Sequence, residues 1–234
     1  MIRAAMEHDT SAMGDDVRFQ TTSWNLVRSS KSLKALDALI SIYWKPLYFF
    51  VRRRGFDNET AKDLVQDFLS VLLERHSFSK ADPARGRFRT FLLASMSNFL
   101  KDHAKAASRV KRGGGMTFLS LDFERGESEY KLVVSVNETP ETALNRGWAR
   151  SLWDRAISEL VADADHLMAF QLYLENIDTR TIAARTGLTE AAVNSCVHRL
   201  KHQLREIILG HIRETVSNEE ELQAELAEFK SLLS

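Results

Sequence analysis

Apolar residues recur along most of this chain at intervals of three and four, the spacing that lines one face of an α-helix. Leu33, Leu36, Ile40, Tyr43, Trp44, Leu47 and Val51 trace one long stripe, with an interruption or kink expected at Pro46, which has no N–H to donate. Arg52-Arg-Arg-Gly55 closes it, with basic residues in the last turn and glycine beyond. Ala61, Leu64, Val65, Phe68 and Leu72 predict a second helix over about 58–74, and Phe88, Leu92, Met96 and Phe99 a third over about 88–109. A shorter helix, capped by Thr22 or Ser23, is expected at 19–27 with Trp24 and Val27 turned inward. From Lys111-Arg-Gly-Gly-Gly115 to Glu138 no helical period is sustained, so 111–138 reads as an interdomain linker. Thr139-Pro140-Glu141 restarts a helix carrying Trp148, Leu152, Trp153, Ala156 and Leu160, and another follows over 168–174. The tail from Asn218 to Leu233 predicts an amphipathic helix, with Asn218 as cap, Glu221 at the capping-box position and Leu222, Leu226, Phe229 and Leu233 on one side.

Between these lies a motif with chemical content. Ile182, Ala183 and Thr186 give a short helix a small inner face, and Gly187 stands where the chain must reverse. Thr189 caps the next helix, in which Val193, Val197, Leu200 and Leu204 form an inward stripe. The opposite side carries Asn194, Ser195, His198, Arg199 and Lys201, all able to bond to bases or phosphates. This is a helix-turn-helix suited to a DNA major groove.

Charge sharpens the picture. The formal net charge over 234 residues is zero, with 32 basic and 32 acidic side chains, yet the signs are segregated. Between residues 75 and 112 ten Lys or Arg face only Asp82 and Asp102, whereas from Arg213 onward six glutamates face only Arg213 and Lys230. A basic middle suits a polyanion, and an acidic tail suits a protein partner or solvation. Cys196 is the single cysteine, so no intramolecular disulfide forms, and its place among Val193, Ser195 and Val197 suggests a helix residue rather than a nucleophile. Residues 1–18 are polar and expected to be disordered, with no secretory signal pattern; no run is apolar enough to span a membrane, and the expected location is cytoplasmic.

Two rows stand out as candidate sites. Asp63, Gln66 and Asp67 share one side of the second helix and offer a carboxylate row to a basic partner surface. Arg87, Thr90, Ala94, Asn98, Lys101, Lys105 and Arg109 line one side of the third, a path that can follow a phosphate backbone. The adjacent loop, 77–86, is placed to form a pocket for an extruded base. Lys111-Arg-Gly-Gly-Gly115 lacks the Gly-Lys-Ser/Thr ending of a phosphate loop. No metal-ligand cluster, cofactor motif or catalytic constellation is readable.

The segments Asp63-Leu-Val-Gln-Asp-Phe68, Gly86-Arg-Phe-Arg-Thr-Phe-Leu-Leu93 with Asn98, and the helix-turn-helix ending Val193-Asn-Ser-Cys-Val-His-Arg-Leu200 together resemble extracytoplasmic-function (group 4) sigma factors. Phe19-Gln-Thr-Thr-Ser-Trp24, Tyr43-Trp-Lys-Pro-Leu-Tyr48 and Lys111-Arg-Gly-Gly-Gly115 look like a subgroup with a C-terminal extension. The resemblance implies an all-α protein of two small helical domains joined by a flexible linker: region 2 over 19–110, the linker over 111–138, region 4 over 139–212, and an acidic helix over 213–234. It implies a non-catalytic subunit without cofactor, whose partners are the clamp helices and flap of core RNA polymerase, promoter DNA and, as a candidate, an anti-sigma factor. Asp63, Gln66 and Asp67 would dock on polymerase. Arg87, Asn98, Lys101, Lys105 and Arg109 would meet the −10 element, and Asn194, Ser195, His198 and Arg199 would read the −35 element. Lys201, Arg185 and Arg180 would contact phosphates, by charge and position. Two other classes fit less of the pattern: a helix-turn-helix regulator acting without replacing the polymerase's sigma subunit, and a metal-dependent nucleic-acid enzyme using Asp63 and Asp67.

Overall fold

The computed structural model describes residues 33–74, 87–107, 121–134 and 137–233. Every regular element among them is helical: α1 (Leu33–Arg53), α2 (Asn58–Glu74), α3 (Phe88–Ala107), α4 (Phe123–Val133), α5 (Pro140–Ser158), α6 (Ala164–Leu174), α7 (Thr179–Thr186), α8 (Glu190–Arg213) and α9 (Glu219–Leu232). The all-α expectation holds. The expected helix at 19–27, the loop at 77–86, Arg109 and the glycine run lie outside the described residues.

Helix α1 is the centre of the molecule. Leu47 through Val51 are five consecutive residues at most 1% exposed, so this stretch of the helix is covered on all sides. Contrary to the expected interruption, it runs unbroken through Pro46. An interior proline costs about 3 kcal/mol, while each fully buried large apolar side chain contributes about 1.5–3 kcal/mol. Leu47, Tyr48, Phe49 and Phe50 therefore outweigh it.

Beside Pro46 lies Gly147 of α5. A Cβ there would meet Phe49 Cδ2 at 2.8 Å and the Pro46 backbone at 3.1 Å, so only glycine lets α5 lie this close along α1. Helices α2 and α4 pack on other sides of α1. Phe68 of α2 meets Phe99 of α3 at 5.5 Å between centroids, and Tyr43 meets Phe88 edge-on at 5.2 Å. Helices α6, α7 and α8 form a second cluster, which α8 joins to α5. The buried apolar residues make one continuous core from Leu39 to Phe229.

The segment expected to lack helical period contains α4. Asp122 caps it, accepting from the Arg125 N–H at 3.0 Å. Its inner face is Phe123, Gly126, Glu127 and Tyr130, a three-and-four spacing hidden because glycine and glutamate occupy two of the positions. Gly126 lets the Trp44 ring approach, at 3.0 Å from an added Cβ. Glu127 is buried because Arg52 binds it with two N–H groups, each at 3.0 Å, and the Tyr48 hydroxyl donates to it at 2.5 Å. These bonds hold its carboxyl below its ordinary pKa even though burial pushes it up.

Candidate nucleic-acid interface

Helices α7 and α8 and the turn between them form as their local chemistry directs. Asp178 caps α7, accepting from the Thr181 N–H at 3.0 Å. Gly187 ends α7 at φ +73°, a backbone region where side chains with a Cβ are strained. Thr189 then caps α8 through the Ala192 N–H at 3.2 Å. Val193, Cys196, Val197, Leu200 and Leu204 are buried, together with Ile182, Ala169 and Phe170 in the same core. Burial pushes the Cys196 thiol pKa up, as suits a packing residue.

The outer face of α8 shows Asn194, Ser195, His198 and Arg199, all exposed, with Arg180 and Arg185 exposed on α7. Asn194 Oδ1 lies 3.4 Å from the Thr179 hydroxyl, a weak tie between the two helices. Lys201 departs from this group. It is half-buried, with its ammonium 5.6 Å from the Tyr173 ring centroid, turned toward α6.

Along α3, Thr90, Ala94, Asn98, Lys101 and Lys105 are exposed on one face. Arg87, just before α3, is largely covered. On α2, Asp63 is exposed while Gln66 and Asp67 are half-buried. Asp67 Oδ1 is buried without a hydrogen-bond partner, and desolvation, then the Asp63 charge, raises this carboxyl's pKa against an opposing pull from His103. Among the described residues no group of three or more His, Cys, Asp or Glu could hold a metal ion, and no helix is long and apolar enough to cross a membrane.

What covers Arg87 is the C-terminal tail. Arg87 Nη1 donates to Glu228 at 2.9 Å. Arg89, only 6% exposed, donates to Glu225 at 2.6 Å, to Glu228 at 2.7 Å and to Asn145 of α5 at 2.7 Å. Its guanidinium also lies 4.2 Å from the Trp148 ring centroid. The Glu228 carboxyl is pushed up by burial, but the two arginines outweigh this and leave its pKa lowered. Sequence reasoning placed Arg89 in the basic segment without a role, and missed the match with Glu225. A signal existed: Glu225 falls between Leu222, Leu226 and Phe229 on the apolar side of α9, where a carboxylate needs a buried partner.

Residues 39–110, 72 of the 234, match the family model of sigma-70 region 2. The chain carries a sigma-70 region 2 domain. This domain takes in most of α1, all of α2 and all of α3, hence the carboxylate row and the exposed face of α3. It supports a sigma-factor role in promoter recognition and melting, with core RNA polymerase and promoter DNA as the implied partners. Searches of curated proteins and of solved structures find no match to the chain.

Proposed function

We propose that this chain is an alternative sigma factor of the extracytoplasmic-function (group 4) kind with a C-terminal extension. It binds core RNA polymerase, recognises −35 and −10 promoter elements and assists opening, without catalysis of its own. The observation that carries this is the pairing, on one chain, of a sigma-70 region 2 domain with a helix-turn-helix whose exposed face is Asn194, Ser195, His198 and Arg199. In this reading α7 and α8 belong to region 4. Arg180 and Arg185 contact phosphates, Lys201 does so only after leaving Tyr173, and α8 reads the −35 element.

Asn98, Lys101 and Lys105 on α3, with Arg109 beyond the described residues, meet the −10 element, and Arg87 belongs to the same row. Asp63, Gln66 and Asp67 dock on the polymerase clamp, and the protein works in the cytoplasm, an anti-sigma factor being a candidate regulator. The test is to add purified protein to core polymerase and assay transcription from a genomic fragment library. Promoter-dependent transcripts are expected, and Asp67→Arg, which inverts charge on the docking row, should weaken polymerase binding while leaving duplex binding intact. Tight, specific duplex binding with no transcript and no polymerase binding would make the protein an ordinary helix-turn-helix regulator.

A further inference from the structure

The start of α3 and the tail helix α9 meet more closely than two solvated surfaces need to. Besides the arginine–glutamate bonds, Phe88 donates its backbone N–H at 3.4 Å to the carbonyl of Thr215, in the turn that precedes α9, and Trp148 of the neighbouring α5 meets Phe229 of α9 edge-on at 5.9 Å. Thr215, Val216, Leu222, Glu225, Leu226 and Phe229 are all buried. Two guanidinium groups face two carboxylates there.

A paired-arginine fork fits phosphate oxygens as well as carboxylate oxygens. Arg87 is also the first member of the row whose later members, Asn98, Lys101 and Lys105, stay exposed. A nucleic-acid backbone laid along α3 therefore runs into the tail at Arg87. At that rim the side chains of Arg87 and Glu228 keep 29% and 32% exposure, so the pair is open to exchange, whereas Arg89 and Glu225 beneath it are sealed.

We propose that Arg87 and Arg89 form a phosphate-binding socket for the DNA backbone and that Glu225 and Glu228 of α9 occupy it as an internal stand-in. Tail docking and strand binding along α3 then exclude each other. The inference rests on the sigma-factor reading for its choice of DNA as ligand, and it locates the tail's effect at region 2. Asn145 ties the same cluster to α5. A bound strand would thus also loosen one link between α3 and α5.

The test uses the full chain and a labelled single-stranded DNA oligonucleotide at low salt. Glu228→Gln at the rim should tighten binding about twofold to fivefold, the factor that corresponds to an ion pair worth up to about 1 kcal/mol. Adding Arg87→Ala should abolish that gain. In the wild-type chain, saturating oligonucleotide should speed amide hydrogen exchange across 219–232, because competition is reciprocal. Unchanged affinity for Glu228→Gln, or a tail equally protected with oligonucleotide bound, overturns the proposal. If Glu228→Gln fails to fold, the exchange experiment decides alone. Core-polymerase binding, measured on the same preparations, keeps the two readings apart. Competition without polymerase binding would sink the sigma-factor reading alone, and promoter-dependent transcription without competition would sink the socket alone.

Discussion

Gly147 shows how one residue sets the spacing of two helices. In an open helical position alanine outranks glycine by about 1 kcal/mol, but here the added methyl strikes Phe49 and the Pro46 backbone. Overpacking of a tight contact costs about 1–3 kcal/mol, so Gly147→Ala should lower stability in urea denaturation. Gly210 of α8, with nothing within 4 Å of an added Cβ, is the control: Gly210→Ala should raise stability by up to about 1 kcal/mol. A drop for both would remove close approach as the reason for glycine at 147. On the outer face of α8, Arg199 is exposed beside Ser195 and His198. If it forks onto a base, Arg199→Ala should cost about 1–3 kcal/mol on the preferred duplex and relax selectivity at one position. Binding titrations over a panel of duplexes check this, and a uniform loss would mark a phosphate contact. Helices α7 and α8 and the turn between them were legible because their signals are local: a cap at Thr189, a left-handed turn at Gly187 and an unbroken apolar stripe.

At the scale of elements, α4 is the instructive case. Periodicity missed it because Gly126 and Glu127 take the place of apolar residues on its buried face, and the justification for each lies on α1, some 80 positions away in sequence (Trp44–Gly126 and Arg52–Glu127). Glu127→Gln keeps the shape but weakens a charge-assisted bond in a mostly buried site. The expected cost is about 1–3 kcal/mol, seen as a lower urea midpoint and faster exchange over 123–133. Exchange there equal to wild type would show that Trp44–Phe123 packing alone holds α4. The tail helix was foreseen in outline, from its Asn218 cap to its apolar side. Its pairing with Arg87 and Arg89 was not, since acidic runs are solvated more often than they are buried against arginine.

At the scale of the whole molecule, the two expected modules share one core in this structure, α5 lying along α1 and α9 bridging α3, α5 and α8. One tie within it is titratable. His211 of α8 bonds Glu159, just after α5, at 2.8 Å and faces Glu214 at 3.9 Å. Burial pulls its pKa down, but the two glutamates prevail and hold it above the ordinary 6.5. A raised pKa means stability that is complete below 6.5 and lost as pH rises through the folded-state value. The stability gap between wild type and His211→Gln should therefore shrink from pH 6 toward more alkaline solution, by chemical denaturation at each pH. A gap independent of pH would mean that the neutral imidazole does the work.

Helix content, caps, the reversal at Gly187 and the segregation of charge were all determined by the sequence itself, because each depends on residues within a few positions of one another. Which charges meet, by contrast, was decided by tertiary structure. Arg89 finds Glu225 and Arg52 finds Glu127 only after the chain has folded, because a buried charge is tolerated only where a distant partner arrives.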